Sequence, residues 1–584
     1  MKLSRFLPVL TWLPRYNRAF LVRDLLAAMI VTVMLIPQSL AYAMLAGLPP
    51  QMGLYASILP LVLYAVFGSS RTLSVGPVAI TALMTAAALG QLFEPGAAEM
   101  VSGAILLTAI TGLMLLVMGV CRLGFLANFL SHPVISGFIT ASGLVIVASQ
   151  LAPALGIQAG GKNLYEVAVE LFRHREDIHW LTLAIGGGVL LALLAAREYL
   201  RPLLTRLGIG SGLADNLART APVTAVVITT ALTWVLELDK AGVAVVGDVS
   251  SGLPELVMPA TDLSLWRQLT VSAVLISIVS FVESVSIAQT QAARRRERID
   301  PDQELVGLGA SNLASGISGG MPVAGSFSRS AVNVDAGAET PAAGALAAFG
   351  VALATVFLTP AIALLPVATL AATIIVSVLS LIDLPALVRT WRYSRGDFVA
   401  MLATIALTLC YSVEAGILAG VGLSIGLFLY RTSRPHSAVV GRVPGTEHFR
   451  NVRRHQVETR AHMAMLRVDE SLYFANARFL EERVLELVSD RPELTDVVLV
   501  CAAVNLIDAS ALESLEAINE RLEAGGVRFH LSEVKGPVMD RLEGTRLLER
   551  LTGNIYLTSY QAWQALGSWM AAQKPLAGDV GKNA

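Results

Sequence analysis

Along roughly the first 430 residues, apolar stretches recur at close to the ~20-residue length that lets a helix cross a bilayer. Hydrocarbon offers the backbone no hydrogen-bond partner, so a chain built of such stretches must satisfy its own N–H and C=O groups, as helices do. With 54% hydrophobic and 15% charged residues over 584 positions, the chain is too apolar for a soluble enzyme. It reads as a polytopic α-helical membrane protein. A formal net charge of −1 provides no basic face for nucleic acid. Cys121, Cys410 and Cys501 are far apart and outside any CxxC pattern, which argues against a disulfide framework and a structural zinc site. No metal or cofactor is expected.

Fourteen spans fit the pattern, near 23–45, 53–68, 76–90, 101–120, 125–151, 179–199, 219–238, 267–290, 303–318, 327–337, 341–359, 362–382, 397–412 and 414–430. An even number puts both ends on one side, and short cytoplasmic loops should hold the Lys/Arg excess. Basic groups precede span 1 (Arg15, Arg18) and follow span 2 (Arg71), span 4 (Arg122), span 6 (Arg197, Arg201, Arg206), span 8 (Arg294, Arg295, Arg296, Arg298) and span 12 (Arg389, Arg392, Arg395). By contrast, 46–52 is uncharged, 91–98 carries only Glu94, and 239–263 is mostly acidic, with Asp239, Asp248, Glu255 and Asp262. The long loop 152–178 mixes Lys162, Arg173 and Arg175 with Glu166, Glu170, Glu176 and Asp177. Residues 1–22 therefore read as a cytoplasmic lead-in and 23–432 as the membrane domain. Pro8, Pro14, Arg15 and Arg18 interrupt the N-terminal apolar stretch and no small-residue cleavage site follows, which fits a bacterial inner membrane without a cleaved leader.

Spans 3 and 10 are short, and each follows Gly/Pro-marked chain: Ser74-Val75-Gly76-Pro77-Val78-Ala79 and Gly325-Ser326-Phe327-Ser328-Arg329-Ser330. Short interrupted spans at matching positions in two halves mark a midplane site in inverted-repeat transporters, and spans 3 and 10 match if the unit is seven. A half-helix starting inside the membrane aims free N–H groups and about half a positive charge at what lies before it. Two such starts plus the Arg329 guanidinium, a costly group at that depth, form an anion cradle that includes the Ser328 and Arg329 backbone donors. The plainer alternative is a Gly/Ser loop at a helix start with Ser326 as its cap.

Glu283, in Ser280-Phe281-Val282-Glu283-Ser284-Val285-Ser286 of span 8, is the other charge picked out at membrane depth. Near Arg329 it is a candidate for proton coupling, the alternative being a static ion pair that only neutralises the arginine. Gln38 and Tyr42 in span 1, four residues apart, share a helical face that can look into the site; helix–helix hydrogen bonding is the alternative.

The stretch Pro37-Gln38-Ser39-Leu40-Ala41-Tyr42-Ala43, with Gly53-Leu54-Tyr55, Gly68-Ser69-Ser70-Arg71, Ser74-Val75-Gly76-Pro77, the Glu283 region and the Ser328-Arg329 pair, closely resembles the sulfate permease (SulP, SLC26) family over essentially the whole chain. The resemblance implies fourteen spans in a seven-plus-seven inverted repeat, core and gate domains moving in alternating access, and a homodimer. It puts the anion against Gln38, Tyr42, Gly76, Pro77, Val78, Ala79, Phe327, Ser328 and Arg329. Glu283 matches the family's proton-coupling acid; sodium–bicarbonate members differ there.

From about 440 the composition turns charged and the pattern becomes that of a small α/β domain. Strands are predicted at 463–468, 496–502 and 527–532, and helices at 476–489, 510–523, 536–549 and 559–572. The domain, 440–573, resembles the STAS domain that ends family members, here on the cytoplasmic side and followed by a flexible tail, 574–584. Ser510 with Glu513 reads as a capping box, with a regulatory phosphorylation site as the alternative. No catalytic constellation appears, so an enzyme is not expected. A proton-coupled symporter of sulfate, bicarbonate or a dicarboxylate leads, ahead of an exchanger or channel-like relative and of a nucleobase-type permease. The bilayer, protons and a small anion are the expected partners.

Overall fold

The computed structural model describes residues 7–572 except 95–96, 130, 158–160, 162, 209, 211–213, 215–219, 248–251 and 261. The tail expected at 574–584, part of the N-terminal lead-in, Lys162 and Asp248 lie outside the described residues. The chain divides into two compact units, Met1–Ser424 and Ile425–Ala584.

A helix lies at each predicted span: α1 (Arg18–Leu45), α2 (Leu59–Phe67), α3 (Ala79–Leu89), α4 (Ala98–Val120), α5 (His132–Leu155), α6 (Trp180–Ala195), α7 (Ala221–Leu236), α8 (Leu263–Arg295), α9 (Pro301–Ile317), α10 (Phe327–Asp335), α11 (Ala342–Phe357), α12 (Val367–Leu379), α13 (Arg395–Cys410) and α14 (Val413–Ser433). Among the described residues, eight helical stretches are long and apolar enough to cross a membrane, and α3, α7 and α11 are shorter apolar helices. Span 2 opens with a separate short helix, Pro50–Tyr55. Loop 152–178 contains a helix the composition had not disclosed, Leu164–Arg173, capped by Asn163, which accepts from the Glu166 N–H.

The helices sort into two bundles. One gathers α1–α4 with α8–α11 and the other α5–α7 with α12 and α13, so corresponding positions in each set of seven pack together. At the centre of the first bundle α4 and α9 approach closely, because small residues let the backbones meet. A Cβ on Gly112 would lie 2.6 Å from the Leu313 nitrogen, and one on Gly309 2.7 Å from that of Leu116. The bundles touch where α3 meets α5 and α1 meets α7 and α12.

The second unit carries a six-stranded sheet of β3 (Ser437–Arg442), β4 (Phe449–Asn451), β5 (Met463–Val468), β6 (Asp496–Val500), β7 (Arg528–Ser532) and β8 (Ile555–Tyr556). Its order is β4-β3-β5-β6-β7-β8, antiparallel up to β5 and parallel beyond. Alternation on β6 feeds two cores. Val497 and Leu499 pack with Leu480, Val484, Leu515 and Ile518 of α15 (Ala477–Ser489) and α16 (Ala509–Ala524), while Val498 and Val500 pack with Ala562, Trp563 and Leu566 of α17 (Ser559–Ala572). The predicted helix 536–549 is two pieces, Gly536–Leu542 and Arg546–Glu549, broken at Gly544 with φ +76°. The capping box expected at Ser510 is not formed: Asp508 is the cap, accepting from the Ala511 N–H at 2.9 Å. Asp508 sits where its short carboxylate reaches the first turn, leaving Ser510 inside the helix on an open groove with Phe474, Arg478 and Glu481.

Candidate anion site

The site starts from two dipeptides. Val75–Gly76 (β1) and Ala324–Gly325 (β2) pair antiparallel, Val75 opposite Gly325 and Gly76 opposite Ala324. Three residues after β1 comes α3, and two after β2 comes α10. Because the strands run oppositely, the two helices leave the ribbon from opposite ends with their N-termini toward the crossing.

Hydroxyls and two side-chain amides lock the crossing. Ser74 N–H donates to Ser330 Oγ and Ser326 N–H to the Ser74 carbonyl, both at 2.9 Å. Gly325 N–H donates to Ser284 Oγ of α8 at 2.8 Å, tying β2 to the helix that carries Glu283. Asn312 of α9 accepts from the Val323 N–H at 2.9 Å and returns its amide to the Val323 carbonyl at 3.0 Å. Asn333 donates to the Thr72 carbonyl at 3.1 Å. None of these pairings was legible in the sequence, since each joins single small polar residues that only the fold brings together.

The helix starts differ. Val78 at the head of α3 provides no side-chain cap, so the first N–H groups of α3, beginning at Ala79, point at the site without one. At α10 the Ser326 hydroxyl accepts from the Arg329 N–H at 3.5 Å. Ser326 is therefore a cap, as the alternative reading had it, and the Arg329 backbone donor expected in the cradle is engaged by that cap.

Arg329 is fully buried. Its Nη1 donates to Gln38 Oε1 of α1 at 3.1 Å, whereas Nε and Nη2 have no hydrogen-bond partner among the described residues. Nη2 lies 3.2 Å from where a Cβ on Gly76 would stand, and Gly76 has φ +151°, so both space and backbone require glycine there. Tyr42, one turn beyond Gln38 on α1, is buried, and Glu283 of α8 is half-buried. Phe327 and Ser328 stand exposed at the rim, while Val78 and Ala79 are buried behind it.

Glu283 makes no ion pair with Arg329 within 4.0 Å among the described residues. Its Oε2 is buried without a hydrogen-bond partner. The residue borders a cavity of about 20 Å³ with Ile80 of α3, Val134 and Phe138 of α5 and Ile417 of α14, on the seam between the bundles.

Two more carboxylates, unremarked in the sequence, are fully buried and satisfied. Glu304 accepts from Tyr64 Oη at 2.7 Å, from the Ser69 N–H at 2.8 Å and hydroxyl at 2.6 Å, and from the Ser70 N–H at 2.9 Å, pinning the turn that leads into β1. Asp24 accepts from the N–H groups of Glu339 and Thr340 ahead of α11. Among the described residues no cluster of His, Cys, Asp and Glu could hold a metal ion.

Fold and site together define a helical membrane protein with two half-helix starts and a buried guanidinium at one crossing, carrying an α/β domain at its C-terminus. Residues 21–404 match the model of the sulfate permease family and 454–562 that of the STAS domain. Similar proteins include a probable sulfate transporter of Mycobacterium tuberculosis, 35% identical over 94% of this chain and 96% of its own length. Another is the chloroplastic sulfate transporter 4.1 of Arabidopsis thaliana, 33% identical over 90% of this chain and 77% of its own. The murine Solute Carrier 26 family member A9 anion transporter, solved in the inward-facing state, shares the fold with a TM-score of 0.86 at 22% identity, over 96% of this chain and 94% of that one. The transmembrane domain of the cyanobacterial bicarbonate transporter BicA aligns over 70% of this chain and 99% of its own with a TM-score of 0.59 at 21% identity. The chain belongs to the sulfate permease family of anion transporters and carries a STAS domain; it is not an enzyme.

Proposed function

We propose that this protein is a proton-coupled secondary transporter of a small oxyanion, with sulfate the first candidate, held between the starts of α3 and α10. The carrying observation is Arg329: fully buried, with two guanidinium donors unpartnered, beside an uncapped helix start. An unpaired buried cation is expensive, and an anion at the crossing both neutralises it and receives its hydrogen bonds. Gln38, Tyr42, Gly76, Pro77, Val78, Ala79, Phe327 and Ser328 surround that position. The sulfate transporters among the similar proteins favour this substrate over bicarbonate or a dicarboxylate.

Glu283 is the coupling group in this reading. Its buried, unbonded oxygen lies on the seam between the bundles, where sliding of the first bundle against the second changes what surrounds it. Protonation there offsets the charge that the site carries across. Fourteen crossings in two inverted sets of seven, a homodimer, an inner-membrane location and a cytoplasmic N-terminus and STAS domain complete the proposal, the last resting on the placement of Arg71, Arg122 and the Arg294–Arg298 cluster. Labelled sulfate uptake into proteoliposomes, with and without an inward proton gradient, is the test: accumulation above equilibrium driven by the gradient supports it. Uptake that only equilibrates and ignores the gradient would favour the channel-like alternative.

A further inference from the structure

The geometry points to Gln38 as a positioning residue that turns the Arg329 guanidinium so that its Nε–Nη2 edge selects oxyanions over halides. The inference rests on the proposed anion site and goes beyond it by naming what the site discriminates.

A guanidinium has a side-on edge, where the Nε–H and one Nη2–H lie parallel, and other donors facing away from it. Parallel N–H groups form two near-straight hydrogen bonds only with two acceptors side by side, as in sulfate or a carboxylate. A single halide accepts both hydrogens only with both bonds bent, and hydrogen bonds weaken as they bend. Which edge faces the ligand therefore decides the discrimination.

In this structure the edge is chosen. Nη1, outside the side-on pair, is held by Gln38 Oε1 at 3.1 Å. Since the guanidinium only donates, the amide must present its oxygen, so the orientation of Gln38 is fixed as well. Gly76 leaves room for Nη2, which a side chain would crowd at 3.2 Å. The two nitrogens left without partners among the described residues are Nε and Nη2, the side-on pair, on a residue with no exposed surface. Gln38 thus serves the arginine's aim, and the uncapped start of α3 is available to further oxygens of a tetrahedral anion.

The test measures inhibition of labelled sulfate binding to purified full-length protein by unlabelled sulfate, selenate, chloride and iodide, in wild type, Arg329→Lys, Gln38→Met and Arg329→Ala. Lysine keeps the charge without the fork; methionine keeps the bulk without the acceptor. The ratio of oxyanion to halide affinity should fall by about tenfold or more in both, the scale of one lost charge-assisted hydrogen bond, while anion binding persists. Thermal melts confirm folding, and Gln38→Met carries the test alone if Arg329→Lys does not fold. An unchanged ratio with binding retained in the folded variants overturns the inference and leaves the anion site standing. Wild-type sulfate binding by Arg329→Ala overturns the site itself.

Discussion

The Ser74 N–H donates to the Ser330 hydroxyl across 256 residues of sequence, so a side chain in the first turn of α10 fixes the extended chain that starts α3. Both groups are buried. Ser330→Ala leaves the Ser74 N–H without an acceptor, a loss of about 1–3 kcal/mol for a buried donor. The variant should melt lower and bind sulfate more weakly, because the two helix starts lose their alignment. Melting and a sulfate titration on the same preparation check this; a lower melting temperature with unchanged affinity would make Ser330 purely structural.

Gly76→Ala should harm the site more than its size suggests. The added methyl meets Arg329 Nη2 at 3.2 Å, and the φ of +151° strains any L side chain by about 1–3 kcal/mol. Sulfate affinity is expected to drop about tenfold or more while the STAS domain stays folded. Normal affinity would mean that Nη2 has another place to go.

Glu283→Gln keeps the shape and removes the titratable proton. The expected result is loss of stimulation by an inward proton gradient with anion exchange retained, measured as uptake against internal and external pH. A preserved pH profile would show that the proton is carried elsewhere.

Within the STAS domain, the Asn554 N–H donates to His530 Nδ1, so the imidazole carries its proton on Nε2 and donates it to Asp496 at 2.9 Å. Burial pushes the Asp496 carboxyl up, but hydrogen bonds from His530 and Thr495 and the charge of Arg528 outweigh it and hold the carboxyl below its usual range. A depressed folded pKa gives stability that is full above the unfolded value of about 3.9 and is lost as pH falls through the folded one. Asp496→Asn keeps an acceptor for His530 and loses the charge. It should lower protection of β6 and β7 in hydrogen exchange at neutral pH and flatten the loss of protection below about pH 4. Identical acid profiles for the two proteins would contradict this.

Much of this architecture was legible in the sequence because membrane physics is severe. An arginine among apolar spans has few reasons to be there, and Arg329 stands at a helix start as the break before it foretold. Gln38 does reach Arg329 from α1, with Tyr42 one turn further along the same helix. The β1–β2 pair was not legible, since two residues carry no periodicity. Nor were Ser284, Ser330 and Asn312, whose partners only the fold supplies. Glu304 escaped notice because it sits in the first turn of a span, where an acidic residue ordinarily means a helix start. In the tail, the β3–β4 hairpin was not among the expected strands, and the Ser510 capping box lost to Asp508, a better-placed cap.

The account stands on Arg329, and the most direct measurement is saturable sulfate uptake by Arg329→Ala in proteoliposomes, beside wild type and with folding verified by thermal melting. Uptake should fall to the level of protein-free vesicles while the variant remains folded. Saturable uptake with wild-type affinity would contradict an anion held at the crossing of β1 and β2.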